Sequence, residues 1–250
     1  MTDLKMLALD IETRPGKAYF FDVWNTNISA EKVIEYPRML AFTAQWYGKK
    51  QVIFHSDYHT GYEEMLKELH ALLDEADLVV GFNSDRFDLP WVEGEFIANH
   101  MPPPSPVMKV DLLKVMRKHS RWVHKNLNTV VSRLLDEEKV PHQGFGLWRD
   151  CIDGDEATKK RAWALMKKYA IKDTALMWPL FEELKPWIKM PHPVSNIPGL
   201  VCRNCGGTHM QRRGTAKTLQ GEYPRYHCQS CGTWNRGTER VPVGDTRAVS

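Results

Sequence analysis

Five apolar residues and two acids, Met6-Leu7-Ala8-Leu9-Asp10-Ile11-Glu12, leave this chain few ways to fold. The run is long enough to fill a buried strand, and strand side chains alternate between faces. Asp10 and Glu12, two residues apart, therefore project the same way and repel each other. A buried strand tolerates such a pair when something cationic sits between the carboxylates, and hard divalent metal ions are the commonest reason. A strand running out into a solvated acidic loop would give the same three letters, so Asp-x-Glu alone leaves both readings open.

The rest of the chain supplies the layers for such a strand. Residues 39–47 and 51–56 are rich in Phe, Val, Ile and Trp and flank Gly48-Lys49-Lys50, which predicts a hairpin. Met65, Leu66, Leu69, Leu72 and Leu73 fall on one helical face over 61–75, and 77–82 is a short buried strand. A helix is expected over 87–100, with Pro90 in its first turn, then the stiff connector Met101-Pro102-Pro103-Pro104 and a last strand over 107–112. Helical pattern returns over 127–135 and from about Glu156 to Leu184. Asp153 is the expected cap there, and Pro179 is expected to kink or split the helix. Strands and helices in this order imply an α/β fold with a mixed sheet covered by helices on its faces. The segment from Thr13 to Arg38 has no period. Its Tyr19, Phe20, Phe21 and Trp24 are expected either to line a cleft beside the acid pair or to cap the core.

Two more acids stand where α/β proteins build their sites. Asp88, at the end of Asn83-Ser84-Asp85-Arg86-Phe87-Asp88, follows a buried strand and opens a helix. Asp173 lies four residues after Tyr169, on a helical stripe shared with Leu165, Met166, Leu176 and Met177, so it needs a partner; a structural salt bridge would serve as well as a metal. Asp85 is read as the start of the helix and Asp111 as a helix cap at least as readily as a border of the site. The ten histidines show no metal-ligand spacing, and Cys151 is read as a small buried residue.

The chain is expected to divide into residues 1–188, a proline-rich linker over 189–199, a module over 200–240 and a tail over 241–250. Cys202-x-x-Cys205 and Cys228-x-x-Cys231 have the spacing of a four-cysteine zinc site, and each pair is followed by a glycine, Gly206 or Gly232. From Leu200 onward eight basic residues stand against three acidic ones, whereas the remainder is slightly acidic. Arg203, Arg212, Arg213, Lys217, Arg225 and Arg236 interleave with Tyr223, Tyr226 and Trp234, a composition suited to single-stranded nucleic acid or, alternatively, to a solvated basic face. No apolar run approaches the ~20 residues of a membrane span and no signal-peptide pattern opens the chain, so a cytoplasmic protein without a membrane partner is expected.

Asp-x-Glu, Asn-x3-Phe-Asp and Tyr-x3-Asp, in this order, resemble the three motifs of the DEDD superfamily of 3′-to-5′ exonucleases. Tyr169 places the resemblance in the DEDDy branch, which includes the proofreading domains of family A and B polymerases. The likeness extends over residues 4–188. Within it, the stretch from Gly144-Phe145-Gly146-Leu147-Trp148 to Tyr169 is similar to phage-encoded exonucleases that end in a zinc ribbon. The resemblance implies a ribonuclease H-like five-stranded sheet and two Mg²⁺ or Mn²⁺ ions. Asp10 would bridge them, Glu12 and Asp173 would join it on the first, and Asp88 would hold the second through water. Tyr169 would orient the attacking water, and one Zn²⁺ would sit on Cys202, Cys205, Cys228 and Cys231. Nucleic acid, DNA before RNA, is the implied partner, contacted by Asn83, Phe87, Arg212, Arg213, Lys217, Arg225, Tyr226 and Trp234. A separate replicative polymerase or other replication protein is a further implied partner, and the host cytoplasm is the implied location for a phage product. An exoribonuclease, a structure-selective nuclease and a catalytically silent adaptor are the alternatives.

Overall fold

The acid-pair strand is the centre of a five-stranded sheet in the computed structural model, which describes residues 4–22, 24, 27–141, 143–190 and 199–242. In chain order the larger unit, Leu4–Glu183, begins with β1 (Met6–Arg14), the short antiparallel pair β2 (Lys17–Ala18) and β3 (Val33–Glu35), then β4 (Arg38–Trp46) and β5 (Ile53–Ser56). Next come α1 (Tyr62–Glu75), β6 (Leu78–Gly81), α2 (Asp88–Ala98), β7 (Met108–Asp111), α3 (Leu112–His119) and α4 (Leu127–Leu135). Helices α5 (Phe145–Asp153), α6 (Glu156–Ala175) and α7 (Met177–Leu184) follow.

The sheet order is β5-β4-β1-β6-β7, with β4 and β5 antiparallel to their neighbours and β6 and β7 parallel. The mixed sheet expected from the sequence is therefore present. Alternation along β1 sends Leu7, Leu9 and Ile11 to one face, where they pack with Met65, Leu66 and Leu69 of α1 and Val92 and Phe96 of α2. The other face meets α5 and α6 through Leu147, Trp163, Met166, Tyr169 and Ala170. Buried residues of α6 recur as Ala162, Trp163, Met166, Tyr169, Ala170, Asp173 and Thr174, one stripe at helical spacing. Thr43 of β4 fixes that stripe to the sheet, its hydroxyl 2.6 Å from the Thr174 hydroxyl and 3.3 Å from the Ala170 carbonyl. Thr43 pairs across the ladder with Asp10, so the same contact aims α6 at the acid pair.

Several local expectations change. The long helix splits after Ala175, and Pro179 falls in the first turn of α7, where its missing amide hydrogen is not needed. Asp155, not Asp153, caps α6 by accepting from the Thr158 amide, while Asp153 is drawn to Lys17 at 2.6 Å. Asp85 does not start α2; it pairs with Lys114, and the helix opens at Asp88. Asp111 does cap α3, accepting from the amides of Leu113 and Lys114. Helices α3 and α5 were not legible as separate elements. In the 13–38 segment Tyr19, Phe20, Phe21 and Trp24 are exposed, which overturns their reading as caps of the core.

From Leu184 onward the described residues form a second compact unit, carrying β8 (Met210–Thr218), β9 (Gly221–Cys228) and β10 (Trp234–Arg236) in the order β10-β9-β8. Most of the expected linker and nearly all of the expected tail, residues 191–198 and 243–250, lie outside the described residues. Among the described residues no helix is long and apolar enough to cross a membrane.

Candidate active site

The site forms where the parallel strands of the sheet diverge. β6 pairs with β1 only from Met6 to Ala8, so beyond Ala8 that side of β1 has no strand beside it. The Ile11 amide donates instead to Asp88 Oδ1 at 3.0 Å, which ties the head of α2 to the acid strand. A tight turn makes this possible. At Gly81 an added Cβ would come within 2.5 Å of Ser84 Cβ, and Asn83 turns the chain at φ 68°, a left-handed conformation asparagine tolerates better than most residues. The Asn83 amide donates to Asp111 Oδ1. Asn83 thus has a structural task whatever it contacts, while Phe87 stands partly exposed one residue before Asp88, its ring against Trp91.

Asp10, Glu12, Asp88, Tyr169 and Asp173 are brought into one electrostatic cluster. Burial raises Asp10 well above the usual carboxylate range, and Asp88, Glu12 and Asp173 each push it further. Burial and then Asp173 take Glu12 up to about 8, and burial takes Asp88 to about 7 against the opposing hydrogen bond from Ile11. Burial, with Glu12, Asp173 and Asp10, pushes the Tyr169 hydroxyl far above its ordinary range, and Tyr169 hydrogen-bonds Asp173.

Two members of the site carry no local sequence signal. Lys139, in the loop between α4 and α5, places Nζ 2.5 Å from Asp173 Oδ2 and donates to the Tyr169 hydroxyl at 3.0 Å. It is the cation that lowers both Asp10 and Glu12. Trp148 of α5 hydrogen-bonds the Glu12 carboxylate and meets the Tyr169 ring edge-on at 6.2 Å between centroids.

A buried group of four acids with one lysine is a donor set that fits hard divalent cations, because mutual repulsion is relieved when positive charge enters. This has a measurable consequence. Glu12 and Asp88 sit above their ordinary values in the folded chain, so the fold holds protons that the unfolded chain releases. Their contribution to stability is full below about pH 4 and is lost as pH rises through 7 and 8. In chelator, Tm should fall by about 5 °C or more between pH 5 and pH 8. Added Mn²⁺ or Mg²⁺ should restore more at pH 8 than at pH 5, because protons and metal compete for the same carboxylates. Differential scanning fluorimetry checks this; an equal metal-induced shift at both pH values would remove the carboxylates as the binding group.

The RNase_H superfamily profile matches residues 9–185, which include the part of β1 that carries Asp10 and Glu12, and all of α2 and α6. The chain belongs to the RNase_H superfamily. No curated protein matches it in sequence. Among solved structures it is similar to the family B DNA polymerase from the hyperthermophilic archaeon Pyrobaculum calidifontis, with 16% identity and a TM-score of 0.55. The match covers 73% of this chain and 25% of the polymerase, so this RNase_H superfamily chain spans about a quarter of that protein. At this identity the similarity is one of fold, and the superfamily fold is that of a nuclease.

A second site lies in the smaller unit. The sulfurs of Cys202, Cys205, Cys228 and Cys231 all lie within 4.8 Å of one another, an arrangement able to hold a metal ion. Cys202 and Cys231 are 3.6 Å apart and Cys205 and Cys228 3.7 Å, close to the ~3.8 Å edge of a tetrahedron whose Zn–S arms are about 2.3 Å. Gly206 and Gly232 take φ of 74° and 72°, and the turns bring the Asn204 amide to Cys202 Sγ and the Gly207 amide to Cys205 Sγ, each at 3.4 Å. The basic and aromatic residues of this unit do not form one surface. Trp234 pairs opposite His227 and Arg236 opposite Arg225, which puts these four on one face. Arg212 pairs opposite Tyr226 and Lys217 opposite Glu222, on the other face.

Proposed function

We propose that the chain is a metal-dependent 3′-to-5′ exonuclease of the DEDDy type. The observation that carries the proposal is the convergence of Asp10, Glu12, Asp88 and Asp173 with Tyr169 at the open end of β1. Asp10, Glu12 and Asp173 would hold one divalent cation, and Asp10 with Asp88 a second. Two such ions, when bound, polarise a phosphodiester and lower the pKa of an attacking water.

The chain's own residues do the placing. The Ile11 amide fixes Asp88, Trp148 holds Glu12, and the Thr43–Thr174 contact sets the depth of Asp173. Tyr169 stays neutral at any working pH, so it acts as a hydrogen-bonding group that positions water, not as a base. Lys139 stabilises the acids and orients the Tyr169 hydroxyl by donating to it. Phe87 would stack on a terminal base, and the four cysteines would hold one Zn²⁺, with nucleic acid contacted by the module that surrounds it. Single-stranded DNA is the favoured substrate, because the fold is shared with a DNA polymerase, and a phage relation or a separate polymerase partner fits the same reading.

The test is a 5′-labelled single-stranded DNA oligonucleotide beside its RNA counterpart, incubated with the full chain in Mg²⁺ or Mn²⁺. The expected result is a ladder shortening from the 3′ end that chelator abolishes, stronger on DNA. Cleavage of RNA alone would make the protein an exoribonuclease. Binding without cleavage of either strand would leave a nucleic-acid adaptor in place of an enzyme.

Trp148 supplies a finer check. Trp148→Phe keeps the ring beside Tyr169 but removes the donor to Glu12. A hydrogen bond to a charged group contributes about 1.5–3 kcal/mol, so the metal concentration giving half-maximal activity should rise roughly tenfold with KM for DNA unchanged. An unchanged metal requirement would reduce Trp148 to a packing residue.

A further inference from the structure

Along β10, an edge strand of the smaller sheet, runs a groove of about 490 Å³, within the ~300–1,000 Å³ typical of small-ligand pockets. Its walls include two indoles that stand more than half exposed, Trp187 at 59% and Trp234 at 52%. Among the described residues its lining carries two cations, Lys189 and Arg203, and no acid.

The walls are fixed. The turn at Lys185–Trp187 lies against the second cysteine knuckle, where a Cβ on Gly232 would come within 3.3 Å of Pro186. Asn204, between the first two cysteines, joins both sides of the groove. Its Nδ2 donates to the Lys185 carbonyl at 3.3 Å and to the Thr233 hydroxyl at 2.9 Å, and its Oδ1 accepts from the Met190 amide at 3.1 Å. Asn235 accepts from the Arg203 amide at 2.9 Å. Trp234 is held from the sheet side, with the Arg225 guanidinium 4.9 Å and the His227 ring 4.7 Å from its centroid. Polar groups of the floor are thus engaged within the protein, and an occupant would meet exposed aromatic surface flanked by positive charge.

We propose that this groove is a binding site for single-stranded nucleic acid, a base lying against the indoles of Trp187 and Trp234 with the adjoining phosphates on Lys189 and Arg203. Aromatic surface with cations and no acid favours a polyanion that carries stacking rings over an apolar peptide, which would gain nothing from the two charges. Because every base has a π face and the floor amides are already bonded, the groove is expected to bind without sequence preference. The inference rests on the nuclease reading for its substrate class, and it assigns the grip on that substrate to residues outside the acidic site.

The full-length Asp10→Ala chain, which leaves the strand intact, is titrated against fluorescein-labelled dT12 and rU12 in chelator-free buffer without Mg²⁺ and followed by anisotropy. Trp187→Ala and Trp234→Ala should each weaken binding by about fivefold to tenfold or more, and together by about a hundredfold. Trp187→Phe and Trp234→Phe should retain most of the affinity. Lys189→Ser and Arg203→Ser should each lower the slope of log K against log salt by about one. Zinc content of one per chain verifies that each variant is folded. Arg212→Ala with Arg213→Ala, on the opposite edge strand, should weaken binding less than either tryptophan-to-alanine change. A double tryptophan variant that keeps its zinc and binds like its parent would overturn the proposal, as would dependence on Arg212 and Arg213 alone or failure of both oligonucleotides to bind. The two readings fail separately. Binding through the groove by a native chain that cleaves nothing would sink the exonuclease and leave the groove, whereas cleavage with unaltered binding in the double variant would do the reverse.

Discussion

Asp10→Asn should reduce nuclease activity by about 10³-fold or more, equivalent to about 4 kcal/mol of transition-state stabilisation, while making the metal-free fold more stable. The two effects share one cause. Asp10 is buried among Asp88, Glu12 and Asp173, all of which raise its pKa. Asparagine keeps the shape and removes the charge, so the apo protein loses repulsion and the metal site loses the carboxylate that both cations would share. Asp173→Asn should act the same way on activity but not on stability, because its carboxylate faces Lys139 at 2.5 Å, and neutralising it takes from that ammonium its ion-pair partner. Activity on 5′-labelled DNA and Tm in chelator report the two halves independently. An Asp10→Asn protein that retains a tenth of the native rate would remove Asp10 from the chemistry. One whose apo Tm falls would contradict the repulsive character of the cluster.

Most of this architecture was legible because its signals are local. Alternation along β1 places Asp10 and Glu12 on one face, helical spacing places Tyr169 and Asp173 on one stripe, and an apolar run ending in Gly81 marks the turn that carries Asp88. Lys139 was not legible. It follows Asp136-Glu137-Glu138 and reads as part of a solvated charge run, and only the folding of the α4–α5 loop over α6 brings it to Asp173. Trp148 is hidden for a similar reason, since nothing in Phe145–Asp153 says which side chain meets the sheet until α5 packs on α6. The cap of α6 is ambiguous in sequence because Asp153-Gly154-Asp155 offers two acids, and Lys17, far off in sequence, takes the first. In the smaller unit the composition of the basic tract says nothing of which side chains share a face, and strand alternation divides them between two. The divided face also explains why the groove escaped the sequence. Trp187 lies before the expected linker, in a turn that reaches the cysteine knuckle through Pro186 and through the Lys185 carbonyl bonded to Asn204.

Removal of the Zn²⁺ proposed for the four thiols should unfold the cysteine module and leave the larger unit folded. The module's buried cluster consists of Cys202, Cys228 and Cys231, with Cys205 and Met210 packed against it. Four of those five side chains are the thiols themselves, so without an ion to join them there is little apolar area to offset the ordering of three strands. Structural zinc sites in zinc-finger peptides supply an apparent ~10–16 kcal/mol at neutral pH, most of which is folding energy. The larger unit has its own core, around Leu9 and Phe42 on one face of the sheet and Trp163 and Met166 on the other. Hydrogen exchange of the full chain before and after treatment with a strong chelator separates the two. Amides of β8, β9 and β10 should lose about 10³-fold or more of their protection, as expected when a unit's folding equilibrium depends on its metal, while those of β1, β4 and α6 keep theirs in the same sample. Cys228→Ser should reproduce the loss without chelator, because a hydroxyl is a far weaker zinc ligand than a thiolate. Persistent protection of β9 in a metal-free sample would mean that the strands hold by themselves and that the four thiols are not the module's structural centre.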